Sequence, residues 1–256
     1  MSVKAKKHLG QHFLTDENIA KKIVDGLSYE GYSNVLEVGP GMGVLTKYLL
    51  EKEQKIYLAE IDNESIEYLK KNYSKTAEDT FRGDFLKEDF EFIRADQLAV
   101  IGNFPYNISS QILFKIIDHY SKIPEMVGMF QKEVAERTAG VPRTKDYGIL
   151  SVLVQAYYDV TYLFTVHENV FNPPPKVKSG VIKLTRNPKE GLVGNEVLFK
   201  QIVKAGFNQR RKKLSNSLKV LNIPEELKTH PFLEKRAEEL SVKDFIDFTK
   251  LWKESV

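Results

Sequence analysis

The stretch Asn34-Val35-Leu36-Glu37-Val38-Gly39-Pro40-Gly41-Met42-Gly43 decides the fold of this chain. A short apolar run breaks there into a glycine-rich turn, and a helical pattern follows the turn. Because glycine has no Cβ, such a turn closes tightly and lets its backbone approach a bound cofactor. The stretch therefore predicts the first strand and turn of a nucleotide-binding α/β domain.

The glycine spacing is Gly39-x-Gly41-x-Gly43, which differs from the G-x-G-x-x-G of dinucleotide-binding enzymes. Glu60 closes the next apolar run, residues 55–61, and an acid at that place can accept both ribose hydroxyls of a nucleoside. We therefore predict cofactor contacts at Gly39, Gly41 and Glu60. A tight structural turn remains the alternative for the glycines.

Composition narrows the class of protein. With 256 residues and 42% hydrophobic content, the chain forms one sizeable domain with an appendage or two small domains. The absence of cysteine excludes disulfides, thiol catalysis and cysteine-ligated metals, and we predict no metal. No run approaches the roughly 20 apolar residues of a membrane span. We expect a soluble, unexported, cytoplasmic protein.

Positive charge is concentrated in one segment, although the formal net charge of the chain is only +3. Between residues 196 and 219, Glu196 is the only acid. The basic residues of this segment are Lys200, Lys204, Arg210, Arg211, Lys212, Lys213 and Lys219. Such a concentration favours a polyanionic partner, and a solvated basic helix face is the alternative.

Strands and helices alternate after the glycine turn. Further strands are predicted at 56–61, 80–84, 98–102, 126–130, 160–166 and 180–185, with helices between most of them and one over 151–158. This order indicates a Rossmann-like, mostly parallel, seven-stranded sheet, with the last two strands forming a hairpin-like edge.

The pattern breaks near 187–194, which contains Pro188, Gly191 and Gly194. Only helical patterns follow, including one after the capping box Ser241-x-x-Asp244. We predict an α/β domain over 1–188 and a small all-helical domain over 189–256. The lysine-rich start of the chain has no acid before Asp16, and we expect that arm to be mobile or ordered only on a partner.

Asn103-Phe104-Pro105-Tyr106 directly follows a predicted strand and suits a flat ring with an exocyclic amine. The amide oxygen of Asn103 and the carbonyl of Phe104 could accept the two hydrogens of adenine N6 and direct its lone pair toward an electrophile. Pro105 biases Phe104 toward an extended conformation. Tyr106 could stack on the base. The alternative is an ordinary Asn-Pro turn with buried aromatics.

Asp84 ends another predicted strand in Gly83-Asp84-Phe85. Acids at the carboxyl ends of strands in an open α/β sheet lie in the ligand crevice. Asp84 could therefore accept from an adenine amino group, and a plain loop cap is the alternative.

A set of motifs that extends over nearly the whole chain resembles, in its residues and their order, the bacterial small-subunit ribosomal RNA adenine dimethyltransferases, the family of kasugamycin sensitivity. The motifs are Gln11-His12-Phe13-Leu14, Glu37 to Gly43, Gly102 to Ser109, Gln131-Lys132-Glu133-Val134, Tyr147-Gly148-x-Leu150-Ser151-Val152, Phe171-x-Pro173-Pro174-Pro175-Lys176-Val177 and Phe207-Asn208-Gln209-Arg210-Arg211-Lys212.

The resemblance implies a class I methyltransferase that uses S-adenosylmethionine to convert two adjacent adenosines to N6,N6-dimethyladenosines. The target is the hairpin loop near the 3′ end of 16S rRNA in the 30S subunit, and a monomer is implied. Cofactor contacts are implied at His12, Leu14, Gly39, Glu60, Asp84 and Asn103. Tyr106 and Phe171 would sandwich the target adenine, and Arg210 to Lys213 would contact rRNA phosphates.

Three positions depart from the family pattern. Phe104 stands where leucine is more frequent, which the use of its carbonyl should tolerate. Residues 176–179 read Lys-Val-Lys-Ser where the family usually has Lys-Val-Asp-Ser. Lys178 therefore replaces an aspartate, and an acidic role at this position is in doubt. His12 replaces a frequent asparagine, and both side chains can donate to a cofactor carboxylate.

Three other functions compete with this reading. The nearest is an adenine-N6 methyltransferase acting on 23S rRNA. A non-catalytic RNA-binding ribosome-assembly factor that kept the fold is a second, and a nicotinamide oxidoreductase is a distant third that the glycine spacing disfavours.

Overall fold

The computed structural model describes residues 3–73, 81–92, 97–187, 192 and 194–255. The chain forms two compact units. The first unit comprises Met1–Ala135 and Val160–Arg186, and the second comprises Glu136–Asp159 and Asn187–Val256. Each unit is described by itself below.

The strands of the described residues build one seven-stranded sheet and one two-stranded sheet. They are β1 Phe13–Leu14, β2 Asn34–Val38, β3 Lys55–Ala59, β4 Phe81–Arg82, β5 Ala99–Asn103, β6 Glu125–Gln131, β7 Tyr158–Val166, β8 Phe171–Asn172 and β9 Ser179–Arg186. The order in the large sheet is β4-β3-β2-β5-β6-β9-β7. The neighbouring pairs β4–β3, β3–β2, β2–β5 and β5–β6 are parallel, and β9 pairs antiparallel with β6. The predicted fold, an α/β protein with a mostly parallel seven-stranded sheet and a helical C-terminal region, is confirmed.

Parallel pairing brings the carboxyl ends of the central strands to one edge of the sheet. All five residues of β2 are buried, as expected of a strand covered on both faces. The register aligns Val38 with Ala59, and β5 continues on the other side of β2 to Asn103. The glycine turn, Glu60 and the segment after Asn103 therefore leave the sheet side by side.

The helices are α1 Glu17–Val24, α2 Thr46–Leu49, α3 Asn63–Asn72, α4 Ser109–Asp118, α5 Lys132–Thr138, α6 Ile149–Gln155, α7 Glu196–Asn208, α8 Leu214–Ser217 and α9 Val242–Glu254. Asp16 caps α1 by accepting from the main-chain N–H groups of Asn18 and Ile19. Among the described residues, no helix is long and apolar enough to cross a membrane.

The helical pattern after the glycine turn forms the single turn α2. One helix prediction was too long. The helix predicted over 151–158 ends at Gln155, because Tyr158 already begins β7.

The N-terminal arm is bonded to the body of the first unit, which corrects the prediction of a mobile arm. Lys6 Nζ lies 2.5 Å from Asp62 Oδ1, and Gln11 Nε2 donates to Asp62 Oδ2 at 3.1 Å. The arm continues into β1, which pairs with β8 in a two-stranded sheet that the sequence did not predict. The arm is therefore ordered by its own chain.

The second unit contains a segment that precedes the predicted boundary. Tyr147 donates its hydroxyl to the carbonyl of Leu240 at 2.8 Å, and the N–H of Arg143 bonds to the carbonyl of Glu238. These bonds explain why residues 136–159 belong with the C-terminal helices. The boundary predicted at residue 188 lies outside the described residues and stays a prediction.

Candidate active site

One cavity of the first unit, at the carboxyl edge of the sheet, collects most of the predicted site residues. Its empty space, including the part continuous with solvent, is about 720 Å³. The predicted residues that line it are His12, Gly39, Gly41, Glu60, Asp84, Asn103, Phe104, Pro105 and Tyr106. Residues distant in the sequence thus share one cavity.

The three glycines of the turn have positive φ angles, of 68° at Gly39, 55° at Gly41 and 81° at Gly43. A Cβ at Gly41 would lie 2.8 Å from Phe13, and one at Gly43 would lie 2.5 Å from Tyr73. These two positions need glycine for packing as well as for backbone conformation. A Cβ at Gly39 would meet nothing closer than 3.9 Å, so its main chain borders open space.

Glu60 is buried and held by main-chain donors. Its Oε2 accepts from Gly41 N–H at 3.1 Å, and its Oε1 accepts from the N–H groups of Ile61 and Asp62 at 2.9 Å each. Burial raises the pKa of Glu60, and these bonds oppose that rise. A carboxylate offers about four lone pairs, so Glu60 keeps capacity for one further donor, on Oε2.

Asp84 follows β4 and serves as a loop cap while lining the cavity. Its Oδ1 accepts from Leu86 N–H at 3.0 Å, and its Oδ2 lies 3.6 Å from Lys87 Nζ. The two readings of Asp84, as a cap and as a ligand-facing acid, are compatible because a carboxylate has acceptor capacity left after one such bond.

Asn103 ends β5, and its side-chain amide has a fixed orientation. Its Nδ2 donates to the main-chain carbonyl of His12 at 2.9 Å. Among the described residues no donor bonds to its Oδ1. The acceptor end of the amide is therefore the end left for a ligand in the cavity.

Phe104 points its ring away from the cavity into the core. The ring lies 4.9 Å from that of Phe130, and a Cβ at Gly128 would come within 2.1 Å of it. Glycines 102 and 128 leave the space that a phenylalanine needs where leucine is more frequent. Pro105 follows with φ −58° and ψ 130°, so the chain turns into a short 3-10 helix over Tyr106–Ile108.

Tyr106 is half-buried and is held at both ends. Its hydroxyl lies 2.5 Å from Ser179 Oγ, and its ring is stacked on that of His12 with the centroids 5.5 Å apart and an interplanar angle of 29°. Burial raises the pKa of Tyr106. His12 in turn places Nδ1 2.7 Å from the carbonyl of Pro173.

Two predicted residues lie away from this cavity. Leu14 is 4% exposed and lines a smaller neighbouring cavity, and Phe171 is 4% exposed within the hydrophobic core. They face each other in the pairing of β1 with β8. The structure does not bring Phe171 to Tyr106, and its role as a stacking surface stays a prediction.

Glu37 lies in β2 beneath the glycine turn. It is 1% exposed, and Thr46 donates to its Oε2 at 2.6 Å. Burial raises the pKa of Glu37 to about 8, against the hydrogen bond from Thr46. Folding therefore favours the protonated form of this carboxyl.

The basic residues of the second unit differ in their contacts. All three guanidinium nitrogens of Arg210 bond within the unit, to Glu238 at 2.6 Å and to the carbonyls of Lys145 and Thr144 at 2.9 and 2.8 Å. These contacts hold the Arg210 side chain within its own unit, and its predicted contact with rRNA stays a prediction. Arg211 and Lys212 are exposed.

Some contributing residues were missed from the sequence. Asp62, which anchors the arm, had no distinguishing signal because its partners lie far away in the sequence. Ile61 lines the cavity and is 54% exposed; an apolar residue directly after the acid that ends a strand was a usable signal. Among the described residues, no group of histidines and acids is placed to hold a metal ion.

Residues 2–254 match the model of a protein family described as ribosomal RNA adenine dimethylase. A protein of Cytophaga hutchinsonii named ribosomal RNA small subunit methyltransferase A is 57% identical over 251 residues, which cover 97% of each chain. A protein of the same name from Bacteroides thetaiotaomicron is 50% identical over 256 residues, covering 99% of this chain and 96% of the other.

Solved structures of other proteins share the fold of this chain. A dimethyladenosine transferase from Plasmodium falciparum superposes with a TM-score of 0.81 at 29% identity, covering 94% of this chain and 97% of the other. The 23S rRNA methyltransferase ErmE superposes with a TM-score of 0.70 at 22% identity, covering 94% of this chain and 99% of the other. The second likeness concerns the fold alone.

Proposed function

This chain belongs to the ribosomal RNA adenine dimethylase family, and we propose that it transfers methyl groups from S-adenosylmethionine to N6 of two adjacent adenosines in 16S rRNA. The proposed target is the 3′-terminal hairpin loop within the 30S subunit, in the cytoplasm. One observation supports the chemistry above others: the donor end of the Asn103 amide is used by His12, which leaves its oxygen for the substrate amine.

The residues of the cavity fit an S-adenosylmethionine molecule. Gly39 borders open space, so a ligand can contact its main chain without meeting a side chain. Glu60 keeps one acceptor site, which we assign to a ribose hydroxyl, and Asp84 lines the same cavity and would accept from the adenine amino group. When bound there, the cofactor supplies a methyl group on a positively charged sulfur.

Catalysis by this chain consists of orientation. Asn103 Oδ1 and the carbonyl of Phe104 would accept the two hydrogens of the target amine, so that its lone pair faces the methyl group. The buried Phe104 ring and Pro105 hold that carbonyl in place. Neither acceptor has to change its protonation state, so this arrangement requires no strong general base.

RNA binding is assigned to exposed cations of the second unit. Arg211 and Lys212 are the proposed phosphate contacts, because both are exposed. Lys213 pairs with Glu234, but both side chains are more than half exposed, and such a pair exchanges readily with a phosphate. We propose Arg210 as the residue that holds the loop containing Thr144 and Lys145 beside this cluster.

A non-catalytic assembly factor is the second candidate function. It would need no ordered acceptor at Asn103, whereas the fixed amide and the glycine turn favour an enzyme. Methylation of 23S rRNA is disfavoured because the relatives at 50–57% identity carry small-subunit names.

Mapping the methylated nucleosides tests the proposal. Unmethylated 30S subunits are incubated with the protein and S-adenosylmethionine, and nuclease fragments of the 16S rRNA are sequenced by mass spectrometry. Two adjacent dimethyladenosines in the 3′-terminal fragment are the expected result. Methylation elsewhere in the rRNA would refute the proposed target, and no methylation would favour an assembly factor.

A further inference from the structure

The loop between α5 and α6, residues 139–147, has a fixed main chain although it contains no helix or strand. Arg210 donates to the carbonyls of Thr144 and Lys145 at 2.8 and 2.9 Å. All of these residues belong to the second unit. We call this segment the anchored loop.

Further bonds close the anchored loop on itself and on α6. Gln155 Nε2 donates to the carbonyl of Gly140 at 2.8 Å. The N–H and the hydroxyl of Thr144 both donate to the carbonyl of Val141, at 3.3 and 2.7 Å. A Cβ at Gly140 would lie 2.8 Å from the main chain of Asp146, so the two ends of the loop are in contact. A loop fixed in this way loses little conformational freedom when a partner binds.

Arg143 has a left-handed main chain, with a φ angle of 69°. Its N–H donates to the carbonyl of Glu238 at 2.8 Å, which holds this conformation. Glycine would adopt the same φ without the steric cost that a side chain brings. The Arg143 side chain is exposed, so packing does not offset that cost. A strained residue with a free cationic side chain suggests that the side chain is used for binding.

The anchored loop adds to the cations already assigned to RNA. Lys145, like Arg143, is exposed, and neither side chain has a hydrogen bond or an ion pair with any residue that the structure describes. Arg211 and Lys212 lie about one side-chain length from the loop, because their neighbour Arg210 bonds to its carbonyls. Four exposed cations are therefore gathered in one region of the second unit.

The surroundings of these cations suit phosphates better than a protein surface. Asp146 is the only acid among residues 139–148, and Glu238, which contacts the loop, is paired with Arg210 at 2.6 Å. Val141 is the one exposed large apolar residue of the loop. Protein interfaces have a cluster of apolar residues at their centre, and the loop provides no such cluster.

We propose that the anchored loop is an RNA-binding surface on which Arg143 and Lys145 bind phosphates of the rRNA, beside the phosphates bound by Arg211 and Lys212. Phosphate contacts position a protein on RNA and carry no sequence information, so they require cations at fixed places and no base-specific pocket. The loop supplies such cations on a main chain that is fixed before binding. This inference rests on the proposed function and extends its RNA-binding surface.

Three single substitutions separate the side chains of the loop from its fold. Arg143→Gly removes the guanidinium and relieves the left-handed main chain, so it should not lower the thermal unfolding temperature. Lys145→Ala removes the second charge, and Lys145→Arg keeps it. The matched control for the pair Arg143→Gly with Lys145→Ala is Lys250→Ala with Lys253→Ala, which removes the same charge from exposed positions on α9.

The affinity of each full-length variant for unmethylated 30S subunits is measured by filter binding at several salt concentrations. We expect Arg143→Gly and Lys145→Ala each to reduce the salt slope by about one, and their combination to reduce it by about two. The combination should also weaken binding by about tenfold at about 0.1 M salt. Lys145→Arg and the α9 control should keep the slope of the unsubstituted protein.

Three results would overturn the inference. The first is an unchanged affinity and salt slope in both loop variants. The second is weaker binding with an unchanged slope, which would assign the loop to a ribosomal protein. The third is an equal loss in the α9 control, which would reduce the effect to overall charge. The comparison does not depend on methyl transfer: if the unsubstituted protein binds 30S subunits and transfers no methyl group, the proposed function fails, while the slopes still decide the role of the loop.

Discussion

Asn103 donates its side-chain N–H to the main-chain carbonyl of His12 across a distance of 2.9 Å. The bond joins the end of β5 to the N-terminal arm, 91 residues earlier in the chain. It determines which end of the amide faces the cavity. Because this bond orients Asn103 Oδ1 before the substrate binds, no free energy is spent on orienting it during the reaction.

Replacing Asn103 tests the proposed acceptor. Asn103→Ala should reduce methyl transfer by about a hundredfold or more, the range seen when one group that orients or stabilises the reacting atoms is removed. The loss of cofactor affinity should be several-fold at most, because the substitution removes one bond to the arm, and it should be far smaller than the loss of rate. Single-turnover rates and calorimetry measure both, with the exposed Asn18→Ala on α1 as a control. A loss of cofactor binding in proportion to the loss of rate would refute the role of Asn103.

Loosening the arm should weaken cofactor binding. Lys6→Ala removes a donor to Asp62, and the arm from Leu9 to Phe13 lines the cavity. We expect a several-fold rise in the Kd of S-adenosylmethionine, while Lys7→Ala, at an exposed neighbour, should have no effect. Equal affinities of the two variants would show that the bond to Asp62 does not hold the arm over the cofactor.

Much of this account could be predicted from the sequence, because its signals were local. The glycine turn, Glu60, Asp84 and Asn103 each sit at the end of an apolar run, and parallel pairing then brings such ends together. The two-residue strands β1 and β8 were missed because two residues show no periodicity and their pairing spans most of the first unit.

The side-chain partners were the part that the sequence could not predict. Arg210 and Arg211 are adjacent and chemically identical, yet three hydrogen bonds commit only Arg210 to its own unit. Phe171 has the same aromatic ring whether it binds a base or fills the core. Only the folded chain shows which contacts each of these side chains makes.

The ring of Phe104 should restrict residue 128 to glycine. Gly128→Ala places a methyl group 2.1 Å from the Phe104 ring and should destabilise the protein by about 1–3 kcal/mol, as overpacking does. The same substitution should cost clearly less in a Phe104→Leu background. Urea unfolding of the two single variants and the double variant measures this coupling. Additive effects would contradict the packing described here.

Glu37 should make stability depend on pH. Its pKa is raised by burial from 4.5 to about 8 in the folded protein, so its protonated form is favoured by folding. This contribution is fully present below the unfolded pKa and is lost as pH rises toward and through the folded pKa, with a slope of up to about 1.4 kcal/mol per pH unit. In the Glu37→Gln variant, the free energy of unfolding should fall less steeply with pH between pH 5 and 8, by up to that slope. Urea unfolding at each pH measures it. The same slope in both proteins would contradict the raised pKa.

Basic residues of the second unit should separate into two classes. Arg211→Ala with Lys212→Ala should weaken binding to 30S subunits and reduce the salt slope by about one per lost phosphate contact. Arg210→Ala should instead lower the thermal unfolding temperature, since its bonds are within the unit. Lys253→Ala, exposed on α9, is the matched control. Filter binding at several salt concentrations measures the salt dependence of the affinity for 30S subunits. The same slope in all variants would contradict the assignment.

The most direct test of the central claim is tritiated methyl transfer from S-adenosylmethionine to three substrates: unmethylated 30S subunits, 50S subunits and protein-free 16S rRNA. We predict incorporation approaching four methyl groups per small subunit, recovered as N6,N6-dimethyladenosine, with little transfer to the other two substrates. Stable binding to small subunits without methyl transfer, or preferential methylation of 50S subunits, would contradict the claim.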